Sequence, residues 1–177
     1  AVDIPEGRFG VVSIHRFELL RDRSTLEGIM ALLASASEDA PLLFVDHPVT
    51  VTALREAGLD DLLDTPGITR IPRQGYLAFV ALLGRASFLV TDSGGSQEEC
   101  AALGLPCVVH RARTERRDGL DCGPVVLSGM DLSVVKDFLR QPPQSSESTA
   151  DSVRPTDLIV RHLAVRGMLE PGPQGRH

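Results

Sequence analysis

The sequence predicts an α/β fold, a Rossmann-like three-layer sandwich in which a parallel sheet lies between two layers of helices. Short β-branched runs recur along the chain, each bounded by Gly, Pro or a charged residue. They are mostly apolar throughout rather than alternating, which is typical of parallel strands covered on both faces. Segments with helical spacing separate the runs through short connections, and this alternation indicates right-handed β-α-β crossovers.

The predicted elements follow one another in a regular order. Five or six strands are expected from the runs FGVVSI (9–14), LLFVD (42–46), GITRI (67–71), FLVTD (88–92), PCVVH (106–110) and PVVL (124–127). Helices are expected where apolar residues recur with helical spacing, over 24–38, 49–59, 75–86, 96–104 and 131–141.

The length of 177 residues suits one compact domain with a tail. We expect residues 1–140 to form the Rossmann-like domain. Residues 141–155, QPPQSSESTADSVRP, are rich in Pro, Ser and charge and are expected to form a flexible linker. Residues 156–169 have the pattern of an amphipathic helix with Thr156 as its N-cap. The tail, 170–177, is expected to be disordered.

Composition excludes several classes of function. The formal net charge of −6 argues against non-specific nucleic-acid binding, and the apolar runs are too short to cross a membrane. The first residues lack the features of a secretory signal, so we expect a cytoplasmic protein or a domain of a longer chain. The three cysteines, Cys100, Cys107 and Cys122, lack metal-binding spacing and are expected to be reduced thiols. We expect neither a metal nor a redox cofactor.

A glycine pair follows the run FLVTD and precedes a helical segment. In an α/β sheet the ligand crevice lies beyond the carboxyl ends of the strands. We expect Gly94 and Gly95 to adopt positive φ and to let a ligand approach closely, and Ser96 to cap the helix with Glu99 in a capping box. Free N–H groups and the helix dipole there favour a phosphate near Ser93. From these residues alone, a turn whose glycines serve geometry only is an equal alternative.

The surrounding motifs resemble the UDP-N-acetylglucosamine 2-epimerase family. TDSGGSQEE, LGLP and RTER are similar to its DSGG-x-QEE, LG-x-P and TERPE segments. SIHRFE (13–18) resembles its HR-x-E segment, and PRQGYLAF (72–79) resembles its P-Q-x-Y-x-x-F segment. Together these segments cover residues from about 10 to 130 in the family order. The family has two Rossmann-like domains arranged as in GT-B glycosyltransferases, and this chain resembles the C-terminal one.

The resemblance implies a set of nucleotide-binding residues. Ser93, Gly94 and Gly95 would hold the UDP phosphates, Glu99 would accept the ribose hydroxyls, Gln74 and Phe79 would lie around the uracil, and Arg116 would lie near the phosphates. Two alternatives stay open on the residues themselves. Phe79 shares helical spacing with Tyr76 and Leu83, as a core aromatic would, and Arg116 lies in an arginine-rich loop where solvation alone would explain it.

The HR-x-E resemblance implies the remaining site residues. His15 would face the sugar and take part in catalysis, although a histidine after a strand is more often structural. Arg16 and Glu18 would lie near the interdomain cleft, where a regulatory substrate molecule can bind in the family. His47 is similar to a second family histidine, but the asparagine that usually follows it is missing, so it ranks below His15.

The implied reaction is the conversion of UDP-GlcNAc to UDP-ManNAc by elimination and re-addition of UDP. In the family the carboxylates that move the protons belong to the N-terminal domain. The chain is therefore expected to bind a UDP-sugar and to be inactive without that domain as its partner. Homodimers are also common in the family.

Several departures from the motifs leave other functions open. Ala112, Arg117 and Asp118 replace an aspartate, a proline and a glutamate of the family, and the C-terminal tail differs. The alternatives are the nucleotide-sugar domain of a GT-B glycosyltransferase, a hydrolysing epimerase and a non-catalytic epimerase-like remnant.

Overall fold

The computed structural model describes residues 4–121, 123–144 and 162–166. The strands are β1 (Gly10–Ser13), β2 (Leu42–Asp46), β3 (Ile68–Pro72), β4 (Phe88–Thr91), β5 (Cys107–Val109) and β6 (Val125–Leu127). The helices are α1 (Phe17–Leu20), α2 (Arg23–Ala36), α3 (Pro48–Ala57), α4 (Tyr76–Leu83), α5 (Gly94–Leu103) and α6 (Leu132–Arg140), with a 3-10 turn at Asp60–Leu63.

The six strands form one parallel sheet in the order β3-β2-β1-β4-β5-β6. Val12 of β1 lies opposite Phe44 of β2 on one side and Val90 of β4 on the other. The predicted Rossmann-like α/β class is confirmed, and each of the runs and periodic segments predicted from sequence contains the expected element. The sequence did not predict α1 or the 3-10 turn, because four residues are too few to show a helical period.

Two apolar layers cover the sheet, one on each face. Neighbouring strand residues point to opposite faces, so Val12 packs in the layer with α2, α3 and α6, and Val11 packs in the layer with α4 and α5. Both valines are fully buried. Because both faces of the sheet are covered, the strands are mostly apolar, as the sequence pattern indicated, and the edge strand β3 departs from this pattern at Thr69 and Arg70.

The connection from β2 to α3 positions a histidine at the edge of the sheet. His47 has extended backbone angles and is the N-cap of α3, and Pro48 occupies the first turn, where its fixed φ suits a helix start. Gly58 ends the helix in the left-handed region at φ 66°. The strand, the cap and the proline therefore hold His47 at the carboxyl edge.

The remaining domain predictions are tested only in part. Cys100 of α5 and Cys107 of β5 are buried free thiols, as expected, whereas Cys122 lies outside the described residues. Residues 162–165 are helical within the predicted helix 156–169. The rest of that helix, most of the predicted linker 141–155 and the tail 170–177 lie outside the described residues. Within the part of the chain that the structure describes, no helix is long and apolar enough to cross a membrane.

Gly10 is required by a close approach in the core. A Cβ atom on Gly10 would lie 2.3 Å from Cε2 and Cζ of the Phe88 ring and 2.9 Å from Cδ2 of Leu42. We expect Gly10→Ala to lower the free energy of unfolding by about 1–3 kcal/mol, the usual cost of overpacking, in urea denaturation.

Gly84→Ala is the matched control, because Gly84 is exposed, has a helical φ of −63° and would place its Cβ no closer than 3.6 Å to another atom. Its free energy of unfolding should change by less than about 0.5 kcal/mol. Equal destabilisation of the two variants would contradict the close packing of Phe88 on Gly10.

Candidate functional site

A cleft of about 230 Å³ lies at the carboxyl edge of the sheet. The chain segments that leave β1, β2, β3 and β4 meet there, beside the first turns of α4 and α5. The connection after β1 runs towards β2, whereas the chain after β4 runs towards β5, so the strand order reverses between β1 and β4. A crevice at such a switch point is the usual ligand site of an open α/β sheet.

Six of the residues predicted from sequence line this cleft. They are His15, Gln74, Phe79, Ser93, Gly95 and Glu99. Gly94, Arg116, Arg16 and Glu18 are not among its lining residues. The sheet thus brings together the HR-x-E, P-Q-x-Y and DSGG-like segments, which lie up to about eighty positions apart in sequence.

Other lining residues were not predicted as ligand contacts. Ser13 ends β1, Val45 is the penultimate residue of β2, Arg73 precedes Gln74, and Ser96 follows the glycine pair. Arg73 is the notable omission, because a cation in the cleft suits an anionic ligand. Its only sequence signal was its place inside the PRQGYLAF segment.

The glycine turn differs in detail from the sequence prediction. Ser93 is the N-cap of α5, and its Oγ accepts from the backbone N–H of Ser96 at 3.4 Å. The predicted Ser96 cap, and with it the Ser96–Glu99 capping box, is therefore wrong. The predicted positive φ is also wrong, because Gly94 and Gly95 are the first two helical residues and are not among the described positive-φ positions.

The two glycines serve different purposes. A Cβ on Gly94 would lie 2.6 Å from Nε of Arg116, so Gly94 is required by the approach of that guanidinium. A Cβ on Gly95 would meet only the Ser93 Oγ, at an ordinary 3.8 Å, and would otherwise project into open space beside the cleft. As the first two helical residues, both glycines have N–H groups that lack intrahelical acceptors.

Arg116 lies beside the start of α5 rather than in the cleft. Its Nη1 donates to the Glu98 carboxylate at 2.8 Å, while its buried Nε has no hydrogen-bond partner. Its contact with a phosphate stays a prediction. The guanidinium is nevertheless next to the N–H groups at which an anion would bind.

Gln97 anchors the loop that carries Arg116. This fully buried amide donates to the backbone carbonyls of Arg116 at 3.2 Å and Asp118 at 3.0 Å, and its Oε1 accepts from the Thr114 hydroxyl at 3.0 Å. The sequence motif did not reveal this role. Because two of the three contacts use backbone carbonyls, the replacements at Arg117 and Asp118 leave them intact.

Glu99 presents a carboxylate to the cleft. Its Oε2 is buried and has no hydrogen-bond partner. Burial raises the pKa of Glu99 and the neighbouring Glu98 charge acts in the same direction, whereas a hydrogen bond from Ser96 lowers the pKa. An unpartnered buried oxygen is costly, and a donor from a ligand would satisfy it.

Phe79 has the core contacts of the structural alternative, and its place beside a uracil stays a prediction. It lines the cleft and also packs, half-buried, against the apolar layer beneath α4. Leu83, one turn on, is fully buried, whereas Tyr76, one turn earlier, is 66% exposed at the cleft. Gln74 lies beside Phe79 in the cleft, and its side-chain amide donates to the carbonyl of Pro72.

The HR-x-E segment surrounds a buried carboxylate that the sequence did not single out. Asp92 accepts from the backbone N–H groups of His15 and Arg16, at 3.0 and 2.7 Å. Arg16 is exposed, and Glu18 lies 4.0 Å from Nε of the buried Arg111. Arg16 and Glu18 thus border the edge of the sheet outside the cleft.

His47 stacks against His15 in the cleft. The ring centroids are 4.5 Å apart at 34°, and Nε2 of His47 lies 3.0 Å from the Ser13 hydroxyl. Burial lowers the pKa of His47 from an ordinary 6.5 to about 4, and the charges of His15 and Arg73 act in the same direction. The ring is therefore neutral over most of the physiological pH range.

The fold and cleft together define a doubly wound α/β domain with a cleft at the switch point, where such domains usually bind their ligands. A family model described as UDP-N-acetylglucosamine 2-epimerase matches residues 1–157. The chain belongs to this family.

Individual relatives show how much of such a protein the chain represents. UDP-N-acetylglucosamine 2-epimerase of Methanococcus maripaludis is 33% identical over 127 residues, which are 70% of this chain and 35% of that protein. UDP-2,3-diacetamido-2,3-dideoxy-D-glucuronate 2-epimerase of Pseudomonas aeruginosa is 32% identical over 75% of this chain and 36% of its own length. The chain thus spans about a third of the length of these relatives.

A solved structure gives the same result for the fold. UDP-GlcNAc 2-epimerase of Methanocaldococcus jannaschii, in complex with UDP-GlcNAc and UDP, matches with a TM-score of 0.79 and 28% identity. The match covers 89% of this chain and 45% of that one.

The low pKa of His47 predicts a specific pH dependence of stability. The unfolded chain protonates this ring below about pH 6.5, whereas the folded chain does so only near pH 4. The stabilisation associated with the neutral ring is complete above pH 6.5 and is lost as the pH falls towards 4. In urea unfolding, His47→Gln should therefore show a shallower fall in the free energy of unfolding across this window than the wild type.

His110 provides the comparison, because burial lowers its pKa too and it lies outside the cleft. Its contribution persists in His47→Gln, so a residual slope is expected. Identical slopes for wild type and His47→Gln would show that His47 is not held neutral.

Proposed function

We propose that this chain is the UDP-binding half of a UDP-N-acetylglucosamine 2-epimerase, corresponding to the C-terminal domain. The observation that carries the proposal is the cleft at the switch point, because it collects residues from three separate motif segments around the start of α5. The relatives' names and the solved complex with UDP-GlcNAc and UDP support the same ligand class.

The diphosphate would bind at the first turn of α5. The N–H groups of Gly94 and Gly95 and the positive end of the helix dipole favour an anion there, and the Ser93 hydroxyl lines the same wall. Arg116 would exchange the Glu98 carboxylate for a phosphate oxygen, because both are anionic partners within reach of the same guanidinium. Arg73, which also lines the cleft, would add a second positive charge.

The nucleoside would occupy the rest of the cleft. Glu99 has a buried, unpartnered oxygen that could accept from a ribose hydroxyl. Phe79 offers an apolar surface, and Gln74 offers an amide that can exchange the Pro72 carbonyl for a uracil edge. With this arrangement His15 would face the sugar that follows the diphosphate, where it could move a proton.

Epimerisation would need a second domain. Removing the proton from C2 and expelling UDP requires acid and base groups on the sugar, and we assign those carboxylates to the N-terminal domain of the same enzyme. Since the chain spans about a third of the length of the relatives, we propose that it binds the nucleotide but does not epimerise the sugar alone.

Calorimetric titration of the chain with UDP tests the proposal. We expect saturable binding that Glu99→Gln weakens about tenfold or more, since a hydrogen bond to a charged group contributes about 1.5–3 kcal/mol.

Gly95→Ala should abolish binding with little loss of stability, because its new methyl group would stand where the phosphate approaches. ADP should bind more weakly than UDP if Gln74 and Phe79 recognise uracil.

Glu98→Gln is the matched control for Glu99→Gln. Glu98 is the adjacent carboxylate of the same helix, but it contacts Arg116 and does not line the cleft. Its loss should leave UDP affinity unchanged or raise it by freeing Arg116. Absence of UDP binding by the folded wild type, or equal losses in both variants, would contradict the proposed site.

A further inference from the structure

We propose that Asp92 is a positioning residue that fixes His15 in the tautomer protonated at Nδ1, so that Nε2 offers its lone pair to the cleft. The catalytic meaning of this arrangement rests on the proposed function, whereas the arrangement itself can be tested without it. In the sequence, Asp92 was only the last residue of the run FLVTD, and no role was assigned to it.

The Asp92 carboxylate is rigidly held. Its side chain is 1% exposed, and it accepts from the N–H of His15 with both oxygens at 3.0 Å and from the N–H of Arg16 at 2.7 Å. These donors come from the segment after β1, whereas Asp92 directly follows β4. The carboxylate therefore fixes the backbone from which the imidazole projects.

The imidazole turns its Nδ1 towards the same carboxylate. Nδ1 of His15 lies 3.6 Å from Oδ1 of Asp92, is buried, and has no hydrogen-bond partner. The His15 side chain is 36% exposed and lines the cleft, and because Nδ1 is buried we infer that the exposed edge is the one that carries Nε2. A separation of 3.6 Å is too long for a hydrogen bond, but such contacts often shorten when a ligand closes the site.

Electrostatics selects the tautomer. An ionised carboxylate can only accept hydrogen bonds, so an unprotonated Nδ1 would direct its lone pair at the lone pairs of Asp92. Burial raises the pKa of Asp92 above its ordinary value, and the N–H groups of Arg16 and His15, which bond to the ionised form, oppose that rise. With a proton on Nδ1 the contact becomes attractive, and Nε2 is left as an acceptor for a substrate proton.

A second ring packs against His15. His47 lies 4.5 Å from His15 between ring centroids, and the Ser13 hydroxyl contacts its Nε2. The His15 imidazole therefore has a contact with a neighbouring side chain in addition to its approach to Asp92.

A purely structural Asp92 would make the same backbone contacts, so stability alone does not test the proposal. The distinguishing readout is the tautomer, measured by long-range ¹H–¹⁵N correlation of the histidine rings in the ¹⁵N-labelled chain, at a pH where the imidazoles are neutral. We expect the wild-type His15 ring to carry its proton on Nδ1. In Asp92→Asn we expect loss of this preference in favour of Nε2–H, the form that free imidazole side chains favour.

Asp46→Asn is the matched control. Asp46 ends the neighbouring strand β2, and its carboxylate contacts Arg70 at 3.0 Å rather than a histidine. The His15 tautomer should be unchanged in this variant. His15→Gln assigns the resonance.

A wild-type His15 protonated at Nε2 overturns the proposal, even if Asp92→Asn fails to fold. An unchanged Nδ1–H signal of His15 in a folded Asp92→Asn variant also overturns the proposal. The outcome is independent of the UDP titration, because the tautomer is read without ligand. UDP binding without the Nδ1–H tautomer would refute only the role of Asp92, and the reverse result would refute only the nucleotide site.

Discussion

The pairing of β1 with β4 is the constraint on which the cleft depends. Ser13 lies opposite Thr91, and the Thr91 hydroxyl donates to the Ser13 carbonyl at 2.8 Å across 78 positions of sequence. From this junction the chain leaves towards His15 on one side and towards Ser93 and the glycine turn on the other. Since parallel strands end at one edge, a single pairing brings both segments to the same crevice.

The same edge contains polar atoms that the folded chain leaves without partners. Among the described residues these include Nδ1 of His15, Oε2 of Glu99 and Nε of Arg116. Burying a polar atom without a hydrogen bond costs free energy, and a fold selected only for stability would avoid clustering such atoms. Their concentration around α5 supports the proposal that this edge accommodates a charged, hydrogen-bonding ligand.

The loop after β5 stays attached to α5 although its sequence departs from the family motif. Arg117 is exposed and pairs with Asp121 at 3.1 Å, and the Asp118 side chain makes none of the anchoring contacts. The anchor is Gln97, which holds the loop largely through backbone carbonyls. Replacement of the family's proline and glutamate therefore alters the loop's surface charge more than its attachment to α5.

The sequence by itself determined the fold class and about half of the residues that line the cleft. Strands covered on both faces are mostly apolar, and this local property is visible in the chain without knowledge of its partners. The motif residues His15, Ser93 and Glu99 were recognisable for the same reason, because their types and spacing are local properties.

Only the tertiary structure decided how the recognised residues are used. In the structure the N-cap of α5 is Ser93 rather than Ser96. Gly94 is needed for the close approach of the Arg116 guanidinium and not for a positive φ, and Asp92 accepts a hydrogen bond from the backbone of His15. Each of these results is a contact between segments far apart in sequence, or a choice between cap residues separated by less than one turn. Helix propensity and hydrophobic periodicity cannot predict such contacts or cap choices, because they describe a residue's neighbours along the chain and not those across the sheet.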